Sequence, residues 1–211
     1  MNNLKLQILF SLFISLLVGM NLLGGKITTL FGVSVSVGIF MTPLTFLITD
    51  IVEEVYGKKV VRNFIIGGVI SLMVIFLYTT LFIYLKPHSR YTFNNEYQII
   101  FKSSLRMIIA SILAFLLAQT HDMFAFEWLK KKTKGKALWL RNNISTIISQ
   151  LIDTSVFMMI SFYHLTPKFT LPFIISLIVP YYLFKVLFAL ADTPFVYLGV
   201  KWLKSKNKLL K

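Results

Sequence analysis

Residues 64–85 read FIIGGVISLMVIFLYTTLFIYL, twenty-two positions without one charged side chain. At about 1.5 Å of rise per residue such a helix is ~33 Å long, enough to cross the hydrocarbon core of a bilayer. Five further apolar segments flank it, at 6–23, 33–52, 107–126, 144–163 and 173–200. Together they predict an all-α membrane protein of six transmembrane helices, forming a single integral domain over residues 1–211. Composition points the same way. The chain is 56% hydrophobic and 14% charged, whereas a soluble domain carries about a quarter charged residues.

Lys5 ahead of an apolar run resembles the start of a signal peptide. Met20-Asn21-Leu22-Leu23 offers no small-residue cleavage site, so the first segment is expected to persist as a helix. The last segment is too long for a straight crossing, and Pro180 and Pro194 can each break it. Residues 90–106 read either as a short interfacial helix or as a loop, and residues 127–141 as a solvated basic hairpin.

The net charge of +14 would suggest nucleic acid in a soluble chain. Here the cations lie in short loops between apolar segments, where they orient the protein and meet anionic headgroups of membrane lipids. With the N-terminus inside, the inner segments hold 15 Lys and Arg, the outer loops hold six, and Lys185 lies within a span. This predicts both termini in the cytoplasm and a multi-pass protein of the inner, cytoplasmic membrane.

There is no cysteine, which excludes disulfides, thiolate metal sites and a cysteine nucleophile. His88, His121 and His164 have no metal-ligand spacing. No G-x-S-x-G, H-E-x-x-H, P-loop or G-x-G-x-x-G is present. The chain is therefore expected to be no enzyme, to need no cofactor or metal, and to bind no nucleic acid.

Only eight residues are acidic, and among them only Glu96 falls clearly in a loop. A carboxylate at the membrane centre costs roughly 2.5–3.5 kcal/mol on insertion scales, so such groups generally face inward and serve function. Gln119 with Asp122, and Gln150 with Asp153, each set an amide and a carboxylate three residues apart on one helix face. Asp153 lies ~15 Å along its helix from Asn143, near the midplane. Asp50 shares a face with Glu54 at the inner end of the second segment, next to Glu53. Lys185 and Asp192, seven apart, share a face of the sixth, where a carboxylate beside an ammonium can couple transport to protons. Carboxylate, amide and cation in a bundle with 20 Phe, 9 Tyr and 3 Trp suit a flat polar heterocycle. The alternative reading is that these groups pair with one another, or with Arg141 or Lys185, and simply lock the bundle.

Residues 43–57, PLTFLITDIVEEVYG, resemble the hallmark of the queuosine precursor transporter family, also called the VUT integral membrane family. Further agreement comes from Asn21-Leu22, Lys26-Ile27, Ala118-Gln119 with Asp122, and Leu138-Trp139-Leu140-Arg141-Asn142-Asn143 through Gln150 to Asp153-Thr154. Lys185 through Ala189-Leu190-Ala191-Asp192-Thr193-Pro194 completes it. His121 beside Asp122 and the doubled Glu53-Glu54 depart from the pattern. The resemblance implies import of 7-deazaguanines such as 7-cyano-7-deazaguanine, 7-aminomethyl-7-deazaguanine or queuine, by secondary or facilitated transport. With the residues above, it makes Asp50, Glu53, Gln119, Asp122, Arg141, Asn142, Gln150, Asp153, Lys185 and Asp192 the candidate substrate-binding set.

A substrate-binding subunit of a multi-component vitamin importer, served by a separate ATPase, is the alternative. Ser11, Ser15 and Gly19 form a small-residue stripe that can dock a partner helix or, more simply, pack within the bundle. A homodimer is left open. A third reading, an intramembrane enzyme using His121 with Asp122 or Asp153, lacks any nucleophile–base–orienter set.

Overall fold

The computed structural model describes residues 4–133, 138–191 and 193–205. In chain order it comprises α1 (Leu4–Leu23), β1 (Ile27–Leu30), β2 (Val33–Ser36), a 3₁₀ turn (Val37–Phe40), α2 (Thr42–Tyr56), α3 (Lys58–Tyr84), α4 (Asn94–Lys132), α5 (Leu138–Phe162), α6 (Leu171–Ala191) and α7 (Thr193–Lys204). Four helices are long and apolar enough to cross a membrane, through Leu4–Leu23, Lys59–Tyr84, Asn94–Ala118 and Leu171–Phe188. The apolar part of α5, Ile147–Phe162, is shorter. With all backbone bonds satisfied internally, helices are the natural spanning elements. This is a multi-pass protein of the cell membrane.

Helix faces follow the four-residue period. On α1 the buried residues are Lys5, Leu9, Phe13 and Asn21, and on α6 they are Ile174, Leu177, Tyr181 and Lys185. α3 leaves Ile70, Met73, Leu77 and Leu81 exposed, a face suited to lipid tails. Gly67 and Gly68 on α3 are packing glycines. A Cβ at Gly67 would come within 2.6 Å of the Phe10 ring, and one at Gly68 within 2.6 Å of Leu17, so α1 and α3 touch almost backbone to side chain.

Two apolar clusters lie at opposite ends of the bundle. Leu9, Phe13, Ile48, Ile51, Val52, Val61, Phe64 and Leu203 gather the start of α1, the end of α2, the start of α3 and α7. Val35, Ile39, Met107, Met158, Phe162, Ile174, Leu177 and Tyr181 gather β2, the 3₁₀ turn and the adjoining parts of α4, α5 and α6.

The segment expected as one span at 33–52 is not a continuous helix. It opens as β2, antiparallel to β1 with Ile27 opposite Ser36 and Leu30 opposite Val33. Phe31 and Gly32 close the hairpin, both at positive φ, as a two-residue turn of mirror-image type requires. The chain then passes through the 3₁₀ turn and starts α2 at Thr42, with Pro43 in its first turn. Valine and serine alternate over residues 33–36, and an average over the segment stays apolar as it would for a helix. Period, not hydropathy, separates the two.

The sixth segment also divides. Pro180 stays inside α6, and a new helix, α7, begins at Thr193 before Pro194, where proline fits a first turn. Residues 94–106 are neither a separate helix nor a loop but the first turns of the 39-residue α4. The basic stretch expected as a loop is partly helical: α4 runs on to Lys132 and α5 begins at Leu138.

Two cations counted as loop residues cap helix ends instead. Lys5, 4% exposed, donates to the Trp202 carbonyl at 2.6 Å, the Ser205 carbonyl at 2.6 Å and Ser205 Oγ at 2.8 Å. Its three donors are thereby satisfied at the negative end of α7. Arg106 donates to the Ile160 and Tyr163 carbonyls at the end of α5.

Candidate functional site

Next to the second apolar cluster, at Tyr181, lies a polar layer drawn from α2, α5 and α6. Its centre is an ion pair in which Lys185 Nζ donates to Asp153 Oδ2 at 2.8 Å, with side chains 7% and 28% exposed. Desolvating two charges offsets most of their attraction, so a pair of this kind is weak evidence for a stabilising role. The ammonium also lies 5.8 Å from the Phe46 ring centroid and 5.7 Å from that of Tyr181, within the range of cation–π attraction.

Tyr181 stands one turn before Lys185 on α6. Its hydroxyl lies 2.9 Å from Thr42 Oγ1. Thr42 Oγ1 also lies 3.1 Å from the Gly38 carbonyl, to which it can donate. Thr45 Oγ1 in turn donates to the Thr42 carbonyl at 2.7 Å. The start of α2, where the second segment changes from 3₁₀ to α-helix, is thus tied to α6 beside the ion pair.

On α5, Gln150 Oε1 and Thr154 Oγ1 are buried with no hydrogen-bond partner among the described residues. They flank Asp153 by three residues on one side and one on the other. A buried, unmatched acceptor is costly unless something supplies the donor. His121 Nδ1 lies 3.0 Å from Ser149 Oγ, linking α4 to α5 just before Gln150.

Of the sequence-derived candidates, Gln150, Asp153 and Lys185 come together here. Asp50 and Glu53 are exposed on the second half of α2, and Asp50 lies ~12 Å farther along that helix than Thr42. A groove of about 730 Å³ opens at the same end, lined by Glu54, Pro194, Tyr197, Lys201 and Lys204 among others. Asp192 and the side chains of Gln119, Asp122, Arg141 and Asn142 lie outside the described residues. Lys185, read in sequence with Asp192, pairs with Asp153 among the described residues. In the small-residue stripe, Gly19 packs against Met41 and the Ser15 hydroxyl donates to the Ser11 carbonyl at 2.8 Å.

Thr42, Phe46 and Tyr181 were not singled out by the sequence. Thr42-Pro43 does carry a signal, since a proline in a first helical turn marks a helix start inside an otherwise unbroken apolar run. Tyr181 is a four-residue neighbour of Lys185, a spacing that places two side chains together on any helix.

Comparison with known proteins points to a transporter. Residues 36–199 match the family described as "Putative vitamin uptake transporter". A Bacillus subtilis protein named probable queuosine precursor transporter is 27% identical over 184 residues, covering 87% of this chain and 79% of its own. The Escherichia coli queuosine precursor transporter is 25% identical over 154 residues, covering 72% of this chain and 66% of its own. No solved structure matches. The family match spans most of the chain and includes every element of the polar layer, from Thr42 through Asp153 to Lys185, so this protein belongs to that vitamin uptake transporter family.

Proposed function

We propose that this protein imports queuosine precursors, the 7-deazaguanines 7-cyano-7-deazaguanine, 7-aminomethyl-7-deazaguanine or queuine, across the cell membrane by secondary or facilitated transport. The observation that carries the reading is the Lys185–Asp153 pair beside the unpartnered Gln150 carbonyl, at the break of a discontinuous second segment. Broken segments near mid-depth are where transporters place their ligands. A 7-deazaguanine presents a ring N–H, a 2-amino group and a 6-carbonyl. Asp153 and Gln150 Oε1 can accept from the first two, and the Lys185 ammonium can donate to the third. The names of the two relatives supply the substrate class. Asp50, Glu53, Gln119, Asp122, Arg141, Asn142 and Asp192 are proposed to serve along the same path.

The orientation proposed is both termini in the cytoplasm with six crossings, β1–β2 and α2 together forming the second. The Lys5 contacts bring the start of α1 and the end of α7 to one end of the bundle, which favours an even number of crossings. The excess of inner-loop cations supports the direction.

The test is uptake of the three labelled bases by cells that lack their own precursor synthesis, with and without this gene. Gene-dependent accumulation of at least one is expected, and accumulation of none would overturn the assignment.

A further inference from the structure

We propose that Phe46 on α2 and Tyr181 on α6 are the two rings that hold the transported base, which takes the place of the Lys185 ammonium at Asp153 while the ammonium turns to the base's carbonyl. The proposal rests on the function just argued and adds the residues that grip the flat face of the substrate.

Three observations converge on one point. The ammonium of Lys185 lies within 6 Å of both ring centroids, at 5.8 Å from Phe46 and 5.7 Å from Tyr181. It is also 2.8 Å from an Asp153 carboxylate oxygen. A group that carries N–H donors is therefore accommodated beside two aromatic rings and against an acceptor. A flat base with a ring N–H beside an exocyclic amine offers Asp153 the same kind of donor, and offers the rings a π-face that an ammonium lacks.

The second acceptor is already in place and unused. Gln150 Oε1 is buried without a partner among the described residues, one turn from Asp153 on the same face of α5. A single carboxylate and one ammonium leave that oxygen unanswered. A base with two adjacent donors answers both acceptors.

Both rings are positioned by the broken second segment. The Tyr181 hydroxyl is held at 2.9 Å by Thr42, the first residue of α2, and Phe46 stands one turn farther along the same helix. Thr42 is in this sense a positioning residue. Ordinary cation–π support of Lys185 would require the rings but no ligand, and the two roles differ in what ring removal does to binding.

The experiment is equilibrium binding of labelled 7-cyano-7-deazaguanine, 7-aminomethyl-7-deazaguanine and queuine to the purified full-length protein in lipid nanodiscs. Phe46→Leu and Tyr181→Leu are each expected to weaken binding about tenfold to a hundredfold, the range of aromatic–base stacking. Tyr181→Phe keeps the ring and should lose a smaller factor than Tyr181→Leu. Phe64→Leu, which removes a core ring in the other cluster, should leave Kd as in the unaltered protein. A Kd unaltered by both leucine variants overturns the proposal, as does a Tyr181→Phe variant as weak as Tyr181→Leu. Phe46→Trp gives a readout that survives if a leucine variant fails to fold. Its indole should be quenched on titration with the base, and a variant that binds without quenching also overturns the assignment. Failure of the unaltered protein to bind any of the three bases removes the functional reading and this proposal with it. Binding that ignores both rings removes this proposal alone.

Discussion

Lys185 on α6 and Asp153 on α5 meet at 2.8 Å, one helical turn along α6 from Tyr181 of the second apolar cluster. The contact joins the two helices where little else is charged among the described residues, next to the start of α2. A stabilising device would be better made from apolar side chains at that depth. We propose the pair as part of the transport path, and its surroundings set the first expectations.

Asp153→Asn and Gln150→Ala should each abolish measurable uptake while the protein still inserts and accumulates. A lost hydrogen bond to a charged group is worth roughly 1.5–3 kcal/mol, or about tenfold to a hundredfold in affinity. Uptake in the deficient cells, normalised to membrane-bound protein, checks this. If both variants transport normally, the site lies elsewhere on the path, with Asp50 and Glu53 next in line.

Lys185→Met alone should lower the unfolding midpoint, because it leaves Asp153 without its cation. Lys185→Met combined with Asp153→Leu should recover much of that loss. Breaking a buried pair from one side costs up to ~3–5 kcal/mol, and less where one partner is 28% exposed as Asp153 is. The double variant should fold but not transport. Gradient-driven accumulation by it would rule out a transport role for the pair.

Lys5→Met should release α7, since three hydrogen bonds at the end of that helix depend on one ammonium. Each bond to a charged donor contributes about 1.5–3 kcal/mol at most. Faster proteolysis near Trp202 in membranes is the expected result, and unchanged cleavage would show that α7 is held by Leu203 and its apolar contacts alone.

Gly68→Val should destabilise the contact of α1 with α3. The added Cβ would meet Leu17 Cδ2 at 2.6 Å and Phe13 Cε1 at 3.2 Å, and overpacking costs about 1–3 kcal/mol. A lower thermal midpoint in detergent is expected. Gly32→Ala, at a hairpin turn with open space around it but φ of 80°, should cost less.

Lys132→Cys should be labelled by a membrane-impermeant thiol reagent only after the cells are opened. Lys132 is exposed at the end of α4, and the native chain has no cysteine to obscure the signal. Labelling in intact cells would invert the proposed orientation.

The amino-acid sequence by itself determined the membrane class, the apolar segments and how far Asp153 lies along its own helix. Each of these depends on quantities that add along the chain, namely transfer free energy per residue and a fixed rise per residue. The same additivity hid the break in the second segment: residues 33–52 are mostly apolar, and water-to-lipid transfer does not register whether the backbone is strand, 3₁₀ turn or helix. Which charges meet was likewise decided only by tertiary structure. Along α6 the sequence pointed from Lys185 only to the acid seven residues away, and the packing of α5 against α6 brings it Asp153 from thirty-two residues away. Lys5 and Arg106 counted as loop cations until the fold set helix ends against them. A helix end is a cluster of unpaired carbonyls whose position depends on how separate helices pack, and no local pattern in either segment specifies that.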